Sequence, residues 1–207
     1  ALRARVVALV AAVSLVIVGA SCSTSTPAEQ QQGVFVGFNQ GERLLRFEEE
    51  LGAPVDLVVT MADATSPDAM NGSVYGQFAA PDAYLPDLAD RLDVVVSVPL
   101  AFGPGGMTQT AEGRDEIGRN LRAVAAGRHD DDFRLVAEYL VDAGYEDAII
   151  RLGHEYYGDW APYSARGNAD AYVAAFRHVH DVMTAESPAF RFDWTSMVPD
   201  FLEYGPA

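Results

Sequence analysis

Residues 149–160 read Ile-Ile-Arg-Leu-Gly-His-Glu-Tyr-Tyr-Gly-Asp-Trp, and the change of character within this run decides how the rest of the chain is read. Ala148, Ile149, Ile150 and Leu152 make a short apolar segment of the kind buried in a parallel sheet. It opens at once into His154, Glu155, Tyr156, Tyr157, Gly158, Asp159 and Trp160. Chemistry at the C-terminal end of a strand is the inference. A carboxyl group beside an imidazole, with aromatic rings a few residues on, suits a site that protonates a leaving oxygen while a ring is held against a flat apolar face. Glu155 is the candidate proton donor.

Outward from this run, strands alternate with helices. Upstream, residues 33–38, 56–61 and 92–98 are Val-rich or Phe-rich strand candidates, and residues 190–198 form a fifth strand downstream. Residues 42–51 space Leu44, Leu45, Phe47 and Leu51 for one helical face, and Gly52 closes that helix. Residues 63–84, punctuated by Pro67, Gly72, Gly76 and Pro81, are expected to be loop-rich. A short helix is expected over 86–91, and the exit of the third strand, 99–107, carries Phe102 and three glycines. Residues 111–126 and 131–143 are two helical patterns, the second stopped by Gly144. Asn168 is the expected N-cap of a helix in which Tyr172, Phe176, Val179 and Val182 or Met183 recur at three and four residues. Uniformly apolar strands separated by helices imply an α/β fold with a covered parallel sheet. Both a (β/α)8 barrel and an open doubly wound sheet fit this order. No Gly-x-Gly-x-x-Gly follows the first strand and no Gly-Lys-Ser/Thr loop is present, so the nucleotide-binding form of the second lacks its usual mark.

Arg151, His154, Glu155, Gly158 and Trp160 together resemble the Arg-x-x-His-Glu-x-x-Gly-x-Trp signature of glycoside hydrolase family 26, whose best-known members are β-mannanases. Residues 168–182 continue the likeness as the helix after that strand. The resemblance favours a partial (β/α)8 TIM barrel with about five of eight strand-helix units, since such barrels typically run to about 250 residues. It implies that the 207-residue chain is the N-terminal portion of a longer catalytic domain. It also implies a retaining glycosidase acting on a β-linked polysaccharide such as mannan, without a cofactor. Retention takes two carboxyl groups about 5 to 5.5 Å apart. By resemblance Glu155, after the fourth strand, is the general acid/base, and the nucleophile follows the seventh strand, beyond Ala207. His154 would orient a carboxylate or touch sugar hydroxyls near the cleavage point. Trp194 falls where the family often has a Trp near the site.

The other side chains are read on their own chemistry. Trp160 is a candidate stacking platform, and Arg151 could pair with an acidic group inside the barrel. Tyr156 and Tyr157 are candidate cleft residues, one of which should belong to the core because adjacent residues rarely point the same way. Tyr157 stands where many family members carry Asn, which bears on substrate preference. Asp193 and Glu203 are the downstream carboxylates near a strand end, both at the wrong strand for the nucleophile. His129, His178 and His180 fall on helix surfaces or turns, and no pair has the His-x-x-x-His or Cys-x-x-Cys spacing of a metal site. The Gly-x-Ser-x-Gly elbow of a serine hydrolase is absent.

Composition bounds the partners. Lys and Arg total 14 against 30 Asp and Glu, a formal net charge of −16, which opposes binding to nucleic acid or to an anionic membrane surface. A neutral polysaccharide suffers no such repulsion. Arg3 and Arg5 precede an apolar run over 6–20 that ends in small residues, the pattern of a signal peptide over residues 1–21. Cys22, the single cysteine, resembles the lipidated cysteine of a bacterial lipobox, although Gly19 stands where Leu is usual. Residues 22–32, rich in Ser, Thr, Pro and Gln, read as a flexible tether, and 33–207 as the incomplete barrel domain. The expected location is secreted or cell-surface, attached to the membrane only through a lipid on Cys22. The alternative function is a cell-surface glycan-binding lipoprotein without catalysis.

Overall fold

The structure, a computed structural model, describes residues 33–35, 41–158 and 160–195. The expected signal peptide, Cys22 and its tether, Asp159, Glu203 and the outer parts of the first and fifth predicted strands lie outside the described residues. Five strands form a single parallel sheet: β1 (Gly33–Phe35), β2 (Leu57–Met61), β3 (Asp93–Val98), β4 (Ile149–Leu152) and β5 (Arg191–Asp193). They lie side by side in chain order. A doubly wound sheet reverses its strand order partway, whereas uninterrupted order with helical crossovers is how a (β/α)8 barrel is wound. The fold is therefore a parallel α/β sheet of the partial-barrel kind.

The register explains which side chains go where. Val58, Thr60, Val94, Val96, Val98, Ile150 and Leu152 share one face, because Val58 pairs with Val94, Thr60 and Ile150 both pair with Val96, and Leu152 pairs with Val98. All seven are essentially inaccessible, and the six aliphatic ones belong to the core under the helices. Each such aliphatic side chain contributes roughly 1.5–3 kcal/mol by leaving water. The opposite face carries Val59, Met61, Val95, Ser97, Arg151 and Asp193 in matching register. That face alone presents charged groups, so polar chemistry inside the curve of the sheet has to be built there.

The helices are α1 (Gly41–Leu51), α2 (Pro67–Phe78), α3 (Ala111–Ala125), α4 (Asp130–Asp142) and α5 (Ala169–Glu186). The predicted helices at 111–126 and 131–143 are present, with α3 capped by Thr110, whose Oγ accepts from Gly113 N at 3.0 Å. Three aspartates occupy the first turn of α4, where negative charge meets the positive end of the helix dipole. Gly144, at φ +86, follows its last turn and donates to Val141 O at 3.0 Å, while Tyr145 N donates to Leu140 O at 2.9 Å. The positive φ that this helix stop requires costs glycine nothing.

The largest departure from the sequence reading is α2, which replaces most of the expected loop over 63–84. Ser66 accepts from Ala69 N at 3.0 Å and Pro67 takes the first helical position, an arrangement proline favours because it lacks the N–H that would be left over there. Met70, Val74 and Phe78 then fall four apart on the buried side with Gln77. Gln77 accepts from the buried Thr60 hydroxyl and donates to Ser73 O at 2.8 Å and Met61 O at 3.3 Å, so a polar side chain pins the helix to β2. Two smaller differences concern ends. The helix expected over 86–91 is a single 3₁₀ turn, Pro86–Leu88. Asn168 does occupy the N-cap position of α5 but makes no side-chain cap bond; its Nδ2 donates instead to Arg114 O of α3 at 2.9 Å. Among the described residues no helix is long and apolar enough to cross a membrane.

Candidate active site

At the end of β4 the ladder continues for one more bond, Gly153 N to Val98 O at 2.8 Å, and then breaks. Gly153 adopts φ +56, and a β-carbon there would stand 2.6 Å from the Tyr172 hydroxyl. That hydroxyl donates to Gly153 O at 2.8 Å, so α5 holds the exit of β4 from below. Glu155 follows in the left-handed region at φ 53, the one non-glycine residue to do so among the described residues. Such a conformation costs an L-residue roughly 1–2 kcal/mol and persists where the surroundings impose it. Here a turn imposes it: Gly158 N donates to Glu155 O at 2.8 Å and Ala165 N to Tyr156 O at 2.5 Å.

The turn leaves Glu155 partly exposed. Its Oε2 accepts from the indole Nε1 of Trp160 at 2.9 Å, so its partner is a neutral donor. Trp160 is 51% exposed, and its ring lies over Gly158, where an added β-carbon would be 2.5 Å from Cε2. One face of the indole is thus backed by main chain and the side chain stays open to solvent. The glycine-rich exit of β3 fixes the backbone of this residue, because Gly106 N donates to Trp160 O at 3.2 Å and Gly105 packs beneath the same carbonyl. The stacking platform and the candidate proton donor are therefore joined by a hydrogen bond.

His154 is partly buried, and its Nδ1 lies 3.1 Å from the hydroxyl of Tyr163. Burial pushes the imidazole below the ordinary histidine value; the Glu155 charge opposes that and Arg151 adds to it. His154 is accordingly neutral at pH 7. Tyr163, 3% exposed, is pushed above the ordinary phenol value by burial first and by the Glu155 carboxylate second. Arg151 lies opposite Asp193 in the β4–β5 register and donates from Nε to its Oδ2 at 2.7 Å. The Thr195 hydroxyl donates to the same oxygen at 2.9 Å. The acidic partner expected for Arg151 is thus Asp193, on the inner face of the sheet.

Tyr156 and Trp194 belong to one aromatic cluster. Their rings are 5.3 Å apart, and Trp194 also meets Phe176 at 4.8 Å and Tyr172 at 5.8 Å. Tyr156 packs against the core, and Tyr157 meets it edge-on at 5.3 Å with its own hydroxyl buried, so the pair does not divide into one inward and one outward ring. Trp194 remains 48% exposed, so it is both cluster member and surface. The remaining histidines stand apart from this constellation. His129 pairs with Asp132 and His178 with Asp130, contacts around the start of α4, and His180 pairs with its neighbour Asp181. Among the described residues no three His, Cys, Asp or Glu side chains converge as a metal site.

Sequence reasoning did not single out Tyr163, Gly105 or Gly106. The glycines at the β3 exit were a signal of close backbone approach; Tyr163, in the run Ala-Pro-Tyr-Ser, carried none.

No protein-family model matches the chain, and no curated protein matches it. Several solved structures resemble it, among them the following two. The crystal structure of the YdhT protein from Bacillus subtilis aligns with a TM-score of 0.54 at 16% identity, covering 79% of this chain and 54% of that one. The structure of GH26C from Muricauda sp. MAR_2010_75 aligns with a TM-score of 0.48 at 13% identity, covering 70% of this chain and 44% of that one. The chain therefore spans about half the length of each. At such identities likeness speaks for architecture alone, and what it establishes is that this chain shares the fold of YdhT over most of its length.

Proposed function

We propose that this chain carries the proton-donor half of a retaining glycosidase of the family 26 type, acting on a β-linked polysaccharide such as mannan. The observation that carries the reading is the placement of Glu155. It stands at the exit of the fourth parallel strand, in a strained turn, partly exposed, with a neutral indole on its carboxylate and a neutral imidazole beside it. In this reading Glu155 delivers a proton to the leaving glycosidic oxygen and later takes one from water. Trp160 offers the flat wall for a sugar ring, and Trp194 and Tyr156 extend the aromatic surface toward β5. His154 hydrogen-bonds the substrate, while Arg151 is held by Asp193 and shapes the inner face. The nucleophile is supplied by a later strand of a longer chain.

A second reading has one observation in its favour. The described carboxylate on the neighbouring strand, Asp193, is already engaged by Arg151 and Thr195, so it is poorly disposed to attack a sugar. A glycan-binding lipoprotein would need the aromatic wall alone. Calorimetric titration of the 207-residue chain with mannohexaose, beside hydrolysis of β-mannan by a chain extended through a seventh strand, separates the two. A glycosidase loses about 10²–10⁴-fold in hydrolysis on Glu155→Gln; a binding protein shows affinity that Trp160→Ala abolishes and no hydrolysis in either form. Neither binding nor hydrolysis by any form overturns both. A cell-surface location through a lipid on Cys22 belongs to the same proposal, and intact-mass measurement showing an unmodified Cys22 refutes that part.

A further inference from the structure

We propose that Tyr163 is a positioning residue that donates its hydroxyl proton to His154 Nδ1, so that His154 carries its own proton on Nε2 and offers that N–H to a bound ligand. The argument is one of hydrogen-bond accounting. Tyr163 is 3% exposed, and the contact recorded for its hydroxyl is His154 Nδ1 at 3.1 Å. A neutral imidazole has one donor and one acceptor nitrogen, and the partner on one settles the other. Were the proton on Nδ1, the buried phenol would have to turn its own O–H away from the partner it has among the described residues, leaving a donor unmatched in the interior. With the proton on Nε2, both groups are satisfied. Nε2 makes no hydrogen bond among the described residues, and His154 is a partly exposed residue. Burial keeps the phenol protonated and the imidazole neutral, which are the two states this arrangement needs.

The charged groups acting on His154 are Glu155 and Arg151, with opposite effects on its protonation. Position favours the same conclusion. Tyr163 follows the Trp160 turn, and Ala165 N donates to Tyr156 O, so the loop that delivers the phenol is stitched to the segment that carries His154 and Glu155. One fold element thus presents a carboxyl group and a fixed N–H donor from consecutive residues, a pair suited to a hydroxyl and the bridging oxygen next to it on a carbohydrate. This functional consequence rests on the glycosidase reading. The tautomer itself does not.

The test is nitrogen-15 NMR of the histidine rings in the 207-residue chain, with His154 assigned by His154→Gln. The expected result is a pyridine-like Nδ1 and a pyrrole-like Nε2 in the wild type. Tyr163→Phe should turn this single tautomer into a mixture and move the His154 titration up toward the ordinary value of about 6.5, because a bond to the neutral form has been removed. Tyr145→Phe, which deletes a buried hydroxyl that donates to Leu85 O at 2.8 Å, should leave His154 unchanged. A protonated Nδ1 in the wild type overturns the proposal without any variant, and so does a Tyr163→Phe spectrum identical to wild type. Titration with mannohexaose then separates the readings: Tyr163→Phe should weaken binding by about tenfold, the upper range for one neutral hydrogen bond. Absence of binding by the wild type would remove the glycan reading and leave the tautomer assignment standing.

Discussion

The centre and the edge of the sheet are built on opposite rules. In β3 five of six residues are buried, and β4 buries Ile150 and Leu152 completely. Among the described residues, β1 and β5 each show three residues of strand and none of them is buried, with Phe35 60% exposed. The helix next to β1 repeats the contrast: α1 buries Leu44 but leaves Leu45, Phe47 and Leu51 open. Burial is therefore concentrated in β2, β3 and β4 and the helices over them, and the candidate site hangs from the exit of β4. What the difference teaches is that the turn carrying Glu155 is mounted on the best-buried part of the sheet, while Asp193 and Trp194 approach it from a weakly covered strand.

The largest effect that could break this contrast is a core truncation. Leu152→Ala is expected to cost about 2–5 kcal/mol in urea unfolding, by lost burial and the cavity left behind, whereas Phe35→Ala should change stability by less than about 0.5 kcal/mol. Equal costs would erase the distinction between centre and edge. Next is the link between the two, the Arg151–Asp193 pair. A double-mutant cycle with Arg151→Met and Asp193→Asn is expected to give a coupling of about 1 kcal/mol, since both side chains are mostly covered and hydrogen-bonded. Zero coupling would mean that β5 is held by backbone bonds alone.

A smaller effect sits at the foot of α1. Glu48 takes a two-pronged bond from Arg91 and accepts from Val55 N at 2.9 Å. The Arg91 bond holds its carboxyl below the ordinary glutamate value, with burial opposing. A lowered folded-state value stabilises the protein above the unfolded value and loses that contribution as pH falls through the folded one. Glu48→Gln should thus cost up to about 1 kcal/mol at pH 7, and the difference from wild type should fade in acid as Glu48 takes up its proton. A penalty that persists in acid would point to packing rather than charge. Smallest in stability is Gly158→Ala. The added methyl meets a ring that can swing outward, so unfolding should shift by less than about 1 kcal/mol, but the indole must leave Glu155, and tryptophan emission should move to the red. Unaltered emission would show that the ring is not held against the turn.

Much of the centre was legible and much of the rim was not, for a physical reason. β3 and β4 announce themselves because strands buried on both faces are almost wholly apolar, and Gly144 and Thr110 mark helix ends by rules that need no tertiary contact. Helix α2 was misread because Gly72 and Gly76 look like breaks when counted as composition, although Ser66 and Pro67 are a helix start when read by position. Asn168 shows the reverse: a good cap by type, drawn away by Arg114 of another helix. At the site, Glu155, His154 and Arg151 could be nominated from one strand exit. That Trp160 bonds Glu155, and that Tyr163 reaches His154, depends on how a turn folds back on itself, which pairwise spacing does not encode.

The left-handed backbone at residue 155 makes this position a thermodynamic debtor. Glutamate is a poor choice there on conformational grounds, and asparagine, which tolerates that region far better, would relieve part of the strain. Glu155→Asn should consequently melt no lower than the native protein even though it forfeits the bond from Trp160. A screen for thermostability alone would tolerate such replacements, discarding the carboxyl group at no cost to the fold.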